Sequence, residues 1–217
     1  MIYIATPSGE KIRNAMTAGL LACMTTPASR SRIPPFSKWG ADNGKYGKGW
    51  PGDYKWFRWL SEQALVNDPR LCLFAVAPDE PMNAKETLRI SRPWLEPIRA
   101  LGLPVAFAAQ DGCEEPGMMP EWDEFDVLFI TGSTAWKIGP HARQLCQEAK
   151  ERGLFVHMGR VNSRERLRIA QAFGCDSADG TYLAYGPDLL LPKLLSWLDE
   201  LNGSEQRTDL HGRTAAR

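Results

Sequence analysis

Short apolar runs recur along this chain, and almost every one ends in a polar turn and hands over to a helical segment. Ile2–Ala5, Leu71–Ala77, Pro104–Ala109, Asp126–Thr131, Leu154–Met158 and Cys175–Gly180 read as strands. A continuous apolar run without in/out alternation is the mark of a strand buried on both faces. Gly9–Thr25, Tyr54–Val66, Lys85–Leu101, His141–Arg152, Ser163–Phe173 and Pro187–Leu201 read as helices. The Pro/Gly-rich stretch Pro27–Asp53 reads as loop, with a short strand around Lys38–Ala41. Ser163 is a good N-cap, Gly153 and Gly174 are natural stops, and Pro93 and Pro97 are expected to break or kink their helix. Strands that alternate with helices predict a parallel sheet. Seven or eight such units in 217 residues fit a compact (β/α)8 barrel of the TIM type, with its active site at the C-terminal ends of the strands. A doubly wound open sheet is the runner-up. Residues 1–201 are expected to form this single domain, and 202–217 a polar, flexible tail.

Composition removes several function classes. Lys plus Arg is 26 and Asp plus Glu is 26, so the chain is no globally basic nucleic-acid binder, although a local basic patch is allowed. No run of about 18 apolar residues is present, so no membrane-spanning helix is expected. The first residues turn polar too soon for a signal peptide, and an intracellular, cytoplasmic protein is expected. The five cysteines are scattered without a CxxC or CxC pair, which predicts neither a disulfide framework nor a zinc site.

The polar residues gather where the strands end. Asp42-Asn43-Gly44, Pro78-Asp79-Glu80, Gln110-Asp111-Gly112, Gly132-Ser133-Thr134, Gly159-Arg160 and Asp176 to Gly180 all occupy such positions. In a parallel α/β protein those ends share one face. Asp42, Asp79 and Asp179 then bring three carboxylates to one mouth. Two close carboxylates can divide the labour of nucleophile and general acid/base at an anomeric carbon; three can equally hold Mg²⁺. Spacing leaves both open, and Asp176 competes with Asp179. Asp42-Asn43-Gly44 is also an ordinary turn signature, and His157 within an apolar strand also reads as a satisfied core histidine.

Ser29–Leu60 is locally basic. It carries Arg30, Arg32, Lys38, Lys45, Lys48, Lys55 and Arg58 against Asp42 and Asp53, with Trp39, Tyr46, Trp50, Tyr54, Trp56, Phe57 and Trp59 interleaved. Cations grip phosphates and flat rings stack on bases, so a nucleic-acid contact is expected, with Lys45, Lys48 and Trp50 as its core. At helical spacing, half or more of these Trp residues are expected to pack inside instead. Lys137 and Arg160 are expected to join the contact, and Arg164, Arg166 and Arg168 to form a second basic cluster.

ADNG (Ala41–Gly44), FAVAPDE (Phe74–Glu80), AFAAQDG (Ala106–Gly112), FITGSTAWK (Phe129–Lys137), HMGRVNSRERL (His157–Leu167) and GCDSADGT (Gly174–Thr181) occur in order. As an ordered set, spanning residues 40–185, they resemble the tRNA-guanine transglycosylase superfamily. The resemblance is closest to its small DpdA-type branch, the 7-deazaguanine DNA transglycosylases of phages and bacteria. It implies that Asp179 is the nucleophile that attacks C1′ and that Asp42 is the general acid/base. It further implies that Asp79 and Gln110 read the base edge and that Gly132 supplies a backbone donor. Asn43, Ser133, His157 and Gly159 would complete the base pocket.

The resemblance has two gaps. The tRNA-acting members carry a C-terminal zinc site built on CxCxxC plus His, and they follow the nucleophile with a Pro-Thr-Arg-like segment. Here there is no such cysteine motif, and Gly180-Thr181-Tyr182 follows Asp179. The implied activity is therefore exchange of guanine in DNA for a free 7-deazaguanine base, without metal or cofactor. The implied setting is the bacterial host cytoplasm if the chain is phage-encoded. A homodimer or an accessory protein is left open as a partner. A tRNA transglycosylase, a base-removing glycosylase and a non-catalytic nucleic-acid binding barrel are the alternatives.

Overall fold

The apolar runs all become strands, and every neighbouring pair is parallel. The computed structural model describes residues 1–29, 31–47 and 49–212, with side chains described as far as residue 203. The strands are β1 (Ile2–Ala5), β2 (Ala22–Thr25), β3 (Trp39–Ala41), β4 (Cys72–Val76), β5 (Val105–Ala109), β6 (Val127–Ile130), β7 (Phe155–Met158) and β8 (Ser177–Asp179). They close in sequence order, β8 pairing back onto β1. This is a (β/α)8 barrel.

The expected helix over Gly9–Thr25 splits in two. Helix α1 covers only Glu10–Thr17, and the chain then turns through Gly19 at φ 76° into β2. Leu20, eight residues after Ile12 and four after Met16, is exposed, whereas Leu21–Met24 are buried. That run of consecutive apolar residues is a two-sided buried strand, and helical spacing merged it with the helix before it. Helix α2 spans Asp53–Val66. Helix α3, Ala84–Ala100, continues unbroken through Pro93 and Pro97. Pro93 and Arg89, the residue whose carbonyl it frees, are both on the exposed face, where water takes the lost hydrogen bond.

The short helix α4 (Thr134–Lys137) and helix α5 (Pro140–Glu151) follow β6, and α6 (Arg164–Ala172) follows β7. Helix α7 runs from Pro187 to Gly212, past the end expected at residue 201. Residues 213–217 of the expected tail lie outside the described residues. Among the described residues, two crossovers carry no α-helix: β2 to β3 (residues 26–38) and β5 to β6 (residues 110–126).

Alternation along each strand sorts the side chains. Ile4, Ala22, Met24, Phe74, Val76, Ala106, Ala108, Val127 and Phe129 fill the barrel. His157 and Ser177 join them as buried polar groups. The outer faces pack on the helices, with Trp39, Trp56 and Leu60 among the largest buried groups. Gly40 has a spatial reason: a Cβ there would sit 3.0 Å from the Phe74 ring. Small residues inside β3 and β5 let two phenyl rings fill the middle, so the barrel is a packed core that opens at its C-terminal end.

Candidate active site

A cavity of about 120 Å³ opens at the C-terminal mouth. A cavity near 150 Å³ holds a benzene molecule, so this one is sized for a single flat ring system. Its floor is Val76, Ala108 and Phe129; its polar wall includes Asp42, Asn43, Tyr46, Asp79, Gln110, Gly132, Gly159, Arg160 and Asp179. These residues come from the ends of β3 through β8.

Asp42 follows β3 directly. Its N–H donates to the Thr25 carbonyl at 2.9 Å, and its Oδ1 accepts the Gly44 N–H at 2.6 Å. Gly44 sits at φ 82° against the backbone of Gly49, so the Asp-Asn-Gly turn needs glycine there. Burial pushes the Asp42 carboxyl up to about 7; the charges of Asp179 and Asp79 push the same way, and only the Gly44 hydrogen bond opposes them.

Asp79 is buried and held from two sides. Asn43 Nδ2 donates to its Oδ1 at 2.7 Å and to the Ala77 carbonyl at 2.8 Å. Gln110 Nε2 donates to its Oδ2 at 2.6 Å. Burial raises the Asp79 pKa, with the Asn43 hydrogen bond and the Lys45 charge opposing. Each oxygen keeps one lone pair for a ligand. Gln110 Oε1 in turn accepts the N–H groups of Met82 at 2.8 Å and Gly132 at 3.0 Å.

Asp179 ends β8 with its side chain 16% exposed. Its Oδ1 accepts the Arg160 N–H at 2.7 Å, and its Oδ2 lies 3.3 Å from His157 Nε2. A Cβ on the next residue, Gly180, would come within 2.7 Å of the Val161 carbonyl and 2.8 Å of the Tyr3 hydroxyl. Asp179-Gly180 is thus a packing requirement as well as a turn. Asp176 does not compete with Asp179. It lies at the opposite end of the barrel, ion-paired to Lys150 at 2.8 Å and accepting the Val156 N–H at 2.8 Å.

Arg160 spans the mouth. Its backbone is left-handed at φ 57°. Its guanidinium lies 4.6 Å over the Tyr46 ring, donates to the Tyr46 hydroxyl at 2.9 Å and donates to the Gly132 carbonyl. Asp42, Asn43, Asp79, Gln110, Gly132, Gly159 and Asp179 therefore meet at one cavity, and Arg160, expected as a nucleic-acid contact, lines it with them.

Several expected roles do not fit the geometry. The Gly132 N–H is taken by Gln110 and is no free donor. Ser133 turns away: its Oγ donates to Asp111 Oδ1 at 2.6 Å, and the same oxygen caps α4. His157 lies fully buried beneath Asp179, outside the cavity lining. Lys137 is no nucleic-acid contact, because it is fully buried and donates to the Gly159 carbonyl at 2.6 Å. Burial pulls its amine down to about 7, with Arg160 pushing the same way and Asp179 opposing.

The basic stretch is also partly spoken for. Lys45 pairs with Glu80 at 3.3 Å and lies 5.3 Å over Trp50. Trp50 in turn packs 5.7 Å from buried Trp56. Lys48 and Arg30 lie outside the described residues. Arg164 and Arg168 both pair with Glu200 on α7, so they clasp two helices. Among the described residues, no three His, Cys, Asp or Glu side chains are grouped to hold a metal ion. No helix among them is long and apolar enough to cross a membrane.

Ser177 and Asp111 stand in the strand-end clusters, but nothing in the sequence marks their roles. Strand period gives only the face of the first: Ser177 and Asp179 share the inward face of β8, and Ser177 pairs across to His157.

The sequence matches no family model and no curated protein. Among solved structures it is similar to a chain of the tryptophan synthase α2β2 complex from the hyperthermophile Pyrococcus furiosus. The identity is 15% over 93% of this chain and 97% of that one, with a TM-score of 0.47. The likeness is too distant to bear on the chemistry of the mouth.

Proposed function

We propose that this barrel is a DNA-guanine transglycosylase, a pentosyltransferase that exchanges guanine in DNA for a 7-deazaguanine base. The observation that carries the reading is that Asp42 and Asp179 line one cavity in unlike surroundings. Asp42 is half-buried and holds a proton to about pH 7. Asp179 accepts a hydrogen bond from the Arg160 N–H and faces the His157 ring. That is a division between a proton carrier and a nucleophile. The ordered motifs that resemble the transglycosylases support the same assignment.

Guanine leaves the base stack and enters the mouth. Its N1–H and 2-amino donors face the free lone pairs of Asp79. An oxygen of Asp179 attacks C1′, the bond from C1′ to N9 breaks, and Asp42 gives its proton to N9 as guanine departs. A 7-deazaguanine base then enters, and Asp42 takes its N9 proton. N9 attacks C1′, and the bond from C1′ to Asp179 breaks. Two inversions retain configuration. The partners are guanine-containing DNA and the free base, and the setting is the cytoplasm.

A base-exchange assay tests this. Guanine-containing DNA and a panel of 7-deazaguanine bases are incubated with the protein, and the digested nucleosides are identified by mass spectrometry, with a tRNA substrate alongside. Deazaguanine in DNA that is lost in Asp179→Ala is the expected result. Incorporation into tRNA alone, or abasic sites alone, would replace the proposal with a tRNA enzyme or a glycosylase. Silence on every substrate would reduce the barrel to a binding module.

A further inference from the structure

Beneath the cavity floor, a line of polar atoms runs down the barrel axis that the proposed reaction leaves unused. His157 is fully buried, with the Phe74 and Phe129 rings at 4.6 Å and 4.5 Å. Its Nε2 lies 3.3 Å from Asp179 Oδ2, and its Nδ1 lies 2.7 Å from Ser177 Oγ. Ser177 is fully buried as well.

The partners distinguish the tautomers. An ionised carboxylate only accepts, whereas a serine hydroxyl both donates and accepts. With the ring proton on Nε2, that N–H points at Asp179 and the Nδ1 lone pair takes the Ser177 hydroxyl proton. Every polar atom in the line is then matched. With the proton on Nδ1, the Nε2 lone pair faces Asp179 Oδ2, and Asp179 itself must carry a proton. The first arrangement makes Asp179 a nucleophile; the second makes it an acid.

We infer that Ser177 and His157 form a positioning pair: the Ser177 hydroxyl fixes the Nε2–H tautomer of His157, whose N–H holds the Asp179 carboxylate aimed into the cavity. Together with the Arg160 N–H on Oδ1, this gives each carboxylate oxygen one fixed donor. The pair thereby selects Asp179, and not Asp42, as the attacking group. That chemical consequence rests on the transglycosylase reading; the tautomer does not.

The experiment has two readouts. Imidazole nitrogen NMR on the full chain, with histidine ¹⁵N labelling and His157→Gln for assignment, should show Nε2 protonated and Nδ1 bare at pH 7. In Ser177→Ala the Nδ1 resonance should move. A proton on Nδ1 of His157 in the native chain, alone or with one on Nε2, would overturn the inference. The second readout is the rate of covalent capture of guanine-containing DNA against the affinity for free guanine. His157→Phe should slow capture by about 10–100-fold, the equivalent of one hydrogen bond to a charged group, with base affinity within about twofold. His157→Gln, whose amide N–H can reach the same place, should recover most of that rate. A histidine that only fills space would show no rescue by Gln, and unchanged capture in His157→Phe would equally overturn the role. If the native protein captures no DNA at all, the transglycosylase reading fails, and the NMR result still decides the tautomer.

Discussion

Carboxylates stand at both ends of this barrel, and the two ends treat them in opposite ways. At the N-terminal end, Asp126 takes Arg99 at 2.8 Å and the Val105 N–H at 2.8 Å. Asp176 takes Lys150 at 2.8 Å and the Val156 N–H at 2.8 Å. Each lies at or near a strand start and meets a cation plus a backbone donor from a neighbouring strand. At the C-terminal end, Asp42, Asp79 and Asp179 make no ion pair with Lys or Arg among the described residues. Backbone amides, carboxamides and an imidazole hold them. The lesson is that neutral donors fix a carboxylate's direction without quenching it, whereas a cation also neutralises it. One end is arranged for stability, and under the proposed reaction the other is arranged for reactivity.

The largest expected contrast is between two aspartates three residues apart. Asp179→Ala should lower covalent capture by about a thousandfold or more, while Asp176→Ala leaves capture within a fewfold. If Asp176→Ala abolishes capture in a folded protein, the division between the ends is wrong. Asp42→Asn comes next: rapid-quench kinetics should show transfer slowed by about a hundredfold or more. The native pH–rate profile should turn near pH 7, the value to which burial raises the Asp42 carboxyl, and that turn should vanish in the variant.

Stability against pH sharpens the comparison further, because two groups near the mouth, half-buried Asp42 and buried Lys137, pull in opposite senses. Folded Asp42 keeps its proton to about 7, whereas an unfolded aspartate releases it near 4. Between those values the folded chain binds more protons, so stability falls as pH rises and then levels off. Folded Lys137 releases its proton near 7, an unfolded lysine only above about 10. Across that range the unfolded chain binds more protons, so stability rises with pH. Their joint contribution has its minimum near pH 7. Urea melts should find Asp42→Asn more stable than the native chain at pH 8, by up to about 4 kcal/mol at about 1.4 kcal/mol per pKa unit, and unchanged below about pH 4. Lys137→Met should gain stability below pH 7, offset by about 1–3 kcal/mol for the Gly159 carbonyl left without its donor. Asp176→Ala should cost about 1–2 kcal/mol at neutral pH for its lost hydrogen bonds. Glu200→Gln, which loosens the exposed clasp to Arg164 and Arg168, should change neither activity nor melting temperature measurably.

Most of the fold was legible because a barrel strand is buried on both faces, and such strands stand out as apolar runs. The strand from Ala22 to Thr25 was hidden because Ile12, Met16 and Leu20, four residues apart, fit one helical face, and spacing alone does not register a turn at Gly19. At the mouth, residue type at a strand end was enough to gather Asp42, Asp79, Gln110 and Asp179. Direction was not legible. Ser133 points at Asp111, Lys137 points into the core and the Gly132 N–H points at Gln110, because each answers to a partner on a different crossover. A lysine after a Gly-Ser-Thr turn reads as surface until the carbonyl that draws it inward is known.

The barrel closes where β1 meets β8, with Ile2 opposite Ser177 and Ile4 opposite Asp179. Ser177 follows Ile2 by 175 positions (177 − 2), which at ribosomal speed is roughly 10–35 seconds of synthesis. Through that interval β1 waits with one edge unpaired. The strand that finally covers this edge is the one that carries Asp179. Closure and the arrival of Asp179 at the mouth are thus a single event: until β8 pairs with β1, the mouth has Asp42 and Asp79 but not Asp179. In the proposed reaction, a nascent chain short of β8 would lack its nucleophile.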